Sequence, residues 1–83
     1  MYLIFTELVS MEGLHTILGK HFKGYTILPG ESCYEGKREK CATIIVYNHT
    51  FEEIDGAAKH IKREFNQECV DIYNLNRKQW HRV

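Results

Sequence analysis

The residues with chemistry to offer are concentrated between Glu31 and Lys40, a ten-residue stretch with six charged side chains, one glycine, a thiol at Cys33 and a phenol at Tyr34. A thiol becomes a nucleophile when a nearby base or cation holds it as thiolate. No partner base stands at an identifiable spacing from Cys33, so the sequence favours a plain thiol. Glu39 belongs to Lys37-Arg38-Glu39-Lys40. Read by composition, that is a solvated charge run whose ion pairs contribute little. Read by position, between two apolar segments, it is a candidate site residue for a small, locally charged ligand. Tyr34 also has two readings: a loop aromatic packing on a neighbour, or one closing over a ligand.

Other constellations are weaker. Cys33, Cys41 and Cys69 are odd in number and lack a C-x-x-C spacing, which argues against both a disulfide scaffold and a zinc site. His15, His21, His49, His60 and His81 show no ligand spacing. Lys59, Lys62 and Arg63 read as the solvated face of a helix.

The elements that position the polar stretch follow from periodicity. Tyr2 to Val9 is rich in β-branched and aromatic residues and reads as a strand. Ser10 caps a helix whose apolar stripe is Met11, Leu14, Ile17, Leu18 and Phe22, with Gly24 as its end. Tyr25 to Leu28 reads as a second strand, Pro29-Gly30 as a turn, and residues 31–40 as a mobile loop. Cys41 to Tyr47 is a third, central strand.

Thr50 and Glu53 fit a capping box, opening a helix that buries Ile54, Ala57, Ala58, Ile61 and Phe65. Asn66 stops it, and Cys69 to Leu75 is a fourth strand. The order β-α-β-β-α-β, with both helices on one face of an antiparallel sheet, predicts an α+β ferredoxin-like sandwich. One domain spans residues 1–83, with 76–83 as a C-terminal edge strand or tail anchored by Trp80.

Eleven basic and eleven acidic residues cancel, so no overall field draws the chain to nucleic acid or an anionic membrane. Hydrophobic residues at 43% and charged residues at 27% are ordinary for a soluble globular domain. The start lacks the features of a signal peptide, which predicts a cytoplasmic protein. A domain of this size buries about 60–65% of its unfolded surface, so self-association would add to its stability.

Tyr34-Glu35-Gly36-Lys37-Arg38-Glu39 followed by a strand resembles the PII-like proteins. Ser32-Cys33-Tyr34, and above all Glu64-Phe65-Asn66-Gln67-Glu68-Cys69-Val70-Asp71-Ile72-Tyr73, resemble the small phage S-adenosylmethionine lyases, formerly called hydrolases. The resemblance covers about the last 50 residues, with the N-terminal third agreeing in pattern. It implies a trimer of ferredoxin-like subunits with small ligands in the clefts between them. It also implies Glu39 as the essential glutamate and Tyr34 as the loop tyrosine, with Cys33, Gly36 and Arg38 as substrate-binding neighbours.

The implied reaction converts S-adenosylmethionine to methylthioadenosine and homoserine lactone, with no metal and no cofactor. A phage-encoded chain would act in the host cytoplasm. A different class is open beside it: a PII-like sensor that binds an adenine nucleotide or S-adenosylmethionine without chemistry. A third, an RNA-recognition module, shares the element order. It is the weakest, because the third strand lacks the aromatic motif on which bases stack.

Overall fold

Burial alternates along Tyr2–Glu7 (β1): Ile4 and Thr6 are buried, whereas Leu3 and Phe5 are partly covered. Successive side chains therefore point to opposite faces of a sheet. The computed structural model describes all 83 residues. Ser10 then accepts a hydrogen bond from the Gly13 N–H at 3.0 Å and caps Met11–His21 (α1). Its stripe of Leu14, Ile17 and Leu18 is buried, as the periodicity predicts.

The helix ends earlier than Gly24. Phe22 is the C-cap, its N–H donating to the Leu18 carbonyl at 2.8 Å. Its ring joins the core, which pulls the backbone out of helical geometry two residues before the glycine.

The polar stretch departs most from expectation. Thr26–Tyr34 (β2) and Lys37–Val46 (β3) pair antiparallel without a break, from Thr26 opposite Ile45 to Tyr34 opposite Lys37. Only Glu35 and Gly36 lie between them, with φ of 51° and 80°. Two consecutive left-handed residues make the type I′ turn, whose twist matches that of the flanking strands. What reads as a mobile loop is an ordered hairpin. Once a two-residue turn sets the register, backbone hydrogen bonds continue the ladder whatever the side chains.

Pro29-Gly30 is accordingly not a turn but part of β2. Proline is tolerated there because β2 is an edge strand and its missing N–H removes little from the sheet.

Thr50 and Glu53 form the expected capping box at the start of Phe51–Glu64 (α2), which buries Ile54, Ala57, Ala58 and Ile61. Asn66, at φ 51°, ends the helical segment. Asp71–Asn74 (β4) and Gln79–Arg82 (β5) form a second hairpin, so the last residues build a fifth strand.

The strand order is β2-β3-β1-β4-β5, with every neighbouring pair antiparallel. This agrees with a ferredoxin-like α+β sandwich carrying one added edge strand. Both helices lie on one face, over a core of Ile4, Ile44, Val46, Val70 and Ile72. Gly13 lets the helices close up, since a Cβ there would stand 3.0 Å from the Phe65 ring. No helix is long and apolar enough to cross a membrane.

Candidate functional site

The other face of the sheet carries no helix. Leu3, Phe5, Ile45 and Tyr73 point to it and are half-buried, while Leu28 and Trp80 are exposed. Trp80 packs on Tyr73 and Phe5, with ring centroids 4.7 and 5.4 Å apart. The expected anchor is thus a surface aromatic on the open face.

The β2–β3 hairpin runs past the end of β1. Every residue from Leu28 to Lys40 is exposed. Strand alternation sorts the hairpin residues into two sets. On the helix-free face stand Gly30 opposite Cys41, Ser32 opposite Glu39 and Tyr34 opposite Lys37. On the other stand Glu31 opposite Lys40 and Cys33 opposite Arg38. Arg38 reaches Glu31 at 3.8 Å, an exposed pair that contributes little.

Of the sequence-derived candidates, Tyr34 and Glu39 therefore share one face. Cys33 and Arg38 share the opposite one. Gly36 supplies the left-handed turn and lies beyond both.

Below Glu39 on its own face, a shallow cavity of about 290 Å³ opens at the base of the hairpin. Its walls include Phe5, Glu7, Ser32, Cys41, Thr43 and Cys69. Sequence reading missed Glu7, Ser32, Cys41 and Cys69 as a group. They come from β1, both hairpin strands and the segment before β4, and no spacing along the chain links them.

One wall is fixed by a buried polar contact. Gln67 is 8% exposed; its Oε1 accepts from the Thr6 hydroxyl at 2.8 Å and from the Glu7 N–H at 3.2 Å. Its Nε2 donates to the Glu7 carbonyl at 3.3 Å. The end of β1 is held by the segment that follows α2.

Larger cavities lie elsewhere. One of about 520 Å³, with Phe51, Arg77, Trp80 and His81 on its walls, sits beside β4 and β5. It includes Tyr2, so it lies at the opposite end of the strands from the hairpin. Another, of about 570 Å³, is basic, with Lys59, Lys62, Arg63 and Arg82. Lys59 is neutralised by Asp55 at 2.8 Å and Arg82 by Asp71 at 2.8 Å. No three or more His, Cys, Asp or Glu side chains converge as a metal site.

No protein-family model matches the chain, and no curated protein matches it in sequence. Among solved structures it is similar to a phage SAM lyase in the apo state, with a TM-score of 0.66 and 16% identity. The match covers 99% of this chain and 86% of that one. The two share a fold over essentially the whole domain.

Proposed function

We propose that the protein degrades S-adenosylmethionine to methylthioadenosine and homoserine lactone, at a site built on the helix-free face of the β2–β3 hairpin. Support comes from one arrangement: Tyr34 and Glu39 on the same face above a cavity, in a fold shared with a phage SAM lyase.

The substrate carries its own electrophile and nucleophile. Its carboxylate oxygen attacks the γ-carbon and the bond from that carbon to sulfur breaks. The bonding electron pair goes to the sulfonium, which leaves as the neutral thioether. The protein's work is to hold the methionine chain folded, and proximity of this kind supplies about 7–11 kcal/mol in well-oriented cases. Glu39 binds and orients the cationic part. Tyr34, at the hairpin tip, closes over the substrate and excludes water, which favours lactone over homoserine.

The hairpin has no opposite wall within one chain, and the cavity below it is at the small end for a ligand site. A second copy would supply the wall. The apolar helix-free face, with Leu3, Phe5, Ile45 and Tyr73, is the surface such a copy would cover, and the assembly that the reading implies is a homotrimer. Glu7 and Glu39 lie on that face against the single unpaired cation Lys37, since Asp71 and Arg82 neutralise each other there, so it offers little attraction to nucleic acid phosphates despite its aromatic residues.

The test is incubation with S-adenosylmethionine and mass spectrometry for methylthioadenosine, homoserine lactone and homoserine. The expected result is lactone from wild type and a loss of at least about a hundredfold with Glu39→Gln, the scale of removing a principal electrostatic contact. Unchanged substrate at high protein concentration would refute the reading. Binding without product would move the assignment to a non-catalytic sensor.

A further inference from the structure

Resting on the S-adenosylmethionine reading above, we infer that Glu7 is a second substrate-binding carboxylate, which takes one of the ligand's two cationic groups while Glu39 takes the other. Glu7 pairs with Cys41 across the β1–β3 ladder, and Glu39 lies two residues before Cys41 on the same strand. Glu7 and Glu39 are therefore diagonal neighbours on the helix-free face, with backbones about 7–8 Å apart. The β1–β3 contact runs one step past Glu7, through the Leu8 N–H bond to the Lys40 carbonyl at 3.0 Å, and Glu39 follows directly on β3, where it pairs with Ser32, so their relative placement is held by backbone pairing.

Glu7 lines the cavity together with Ser32, Cys41 and Cys69. A ligand seated there meets Glu7 at the cavity wall, with Glu39 above it on the hairpin. S-adenosylmethionine brings a sulfonium and an ammonium, separated by the short methionine chain. Two carboxylates at diagonal spacing on one face match a ligand with two separated positive charges, whereas a neutral nucleoside gives them nothing to pair with.

The supporting shell points to the same residue. Thr6 and Gln67 are the two buried polar side chains in an otherwise apolar interior. Gln67 uses both ends of its amide on the Glu7 peptide and its oxygen again on the Thr6 hydroxyl. The interior thus commits its polar groups to pinning the backbone of an exposed carboxylate. That is how a binding side chain is aimed from a rigid element.

The experiment compares wild type with Glu7→Gln in steady-state degradation of S-adenosylmethionine, alongside calorimetric binding of methylthioadenosine, which lacks both cations. Loss of a charge-assisted contact predicts a KM raised about tenfold with kcat within about threefold of wild type. Methylthioadenosine affinity should be unchanged. Glu7→Asp should recover part of the loss, because it restores the charge.

Gln67→Leu, checked for folding by its melting curve, should raise KM in the same direction with Glu7 intact. An unchanged KM in Glu7→Gln, with wild type active, overturns the assignment of Glu7 and leaves the lyase reading standing. So does an equal loss of methylthioadenosine binding. A wild-type protein that neither binds nor degrades S-adenosylmethionine overturns the lyase reading and this assignment with it.

Discussion

The Nε2 of His21 lies 3.0 Å from the Nδ1 of His60, joining the last residue of α1 to the middle of α2. One ring must be neutral to accept from the other. Burial, then the charges of His60 and Lys20, lowers the His21 pKa below its ordinary 6.5. The unfolded chain therefore binds the proton more tightly than the folded one, and stability rises with pH through this window. The contribution is complete above about pH 6.5, the unfolded value, and is lost as pH falls below it toward the folded value. Thermal melts between pH 5 and 8 should show Tm falling on the acid side. His21→Gln should flatten that slope, and an unchanged slope would remove His21 as its source.

A second window lies lower. The His49 hydrogen bond at 2.7 Å, then the backbone and side chain of Thr50, hold the Glu53 carboxyl below its usual 4.5. Its contribution is present above the unfolded value and disappears as pH falls through the folded one. Thr50→Ala removes half of the capping box at the start of α2 and should cost about 1 kcal/mol. In a domain of this size that is a Tm drop of about 4–8 °C, measurable by circular dichroism.

The hairpin turn depends on Gly36. A Cβ there would meet nothing within 4 Å, so space does not restrict it; the φ of 80° does. Gly36→Ala should cost about 1 kcal/mol, chiefly in the hairpin. Hydrogen exchange at the paired amides of residues 31–40 should quicken while the core amides keep their protection. Glu35→Asn, which suits the left-handed first turn position, should slow the same exchange.

Self-association through the helix-free face can be tested at Ile45, half-buried and directly opposite Leu3. Ile45→Lys should leave the secondary structure intact and shift light scattering from the assembly to the monomer. It should also abolish lactone formation, because a site completed by a neighbouring copy is lost with that copy. A wild type that is monomeric at assay concentration would refute the shared site, whatever the variant does.

Much of this fold was legible along the chain because the information is local. The spacing of Leu14, Ile17 and Leu18, and of Ile54, Ala57, Ala58 and Ile61, sets which helix faces are buried. Thr50 and Glu53, or Ser10 and the Gly13 amide, satisfy each other within one turn. Asn66 tolerates the left-handed geometry that ends α2. Such features report on neighbours three or four residues away, and the sequence displays those neighbours directly.

Three things were decided only in three dimensions. Residues 31–40, six of them charged, became a ladder because the two-residue turn at Glu35-Gly36 aligned two backbones whose pairing is indifferent to composition. That register then placed Tyr34 with Glu39 on one face and Cys33 with Arg38 on the other, a division set by the two-residue repeat of a strand. The meeting of Glu7, Cys41 and Cys69 around one cavity, and the grip of Gln67 on a peptide 60 positions earlier, arose from the order in which the strands cross. Sequence determined the faces and caps of the elements; packing alone determined which elements meet, because contacts between distant residues leave no periodic trace along the chain.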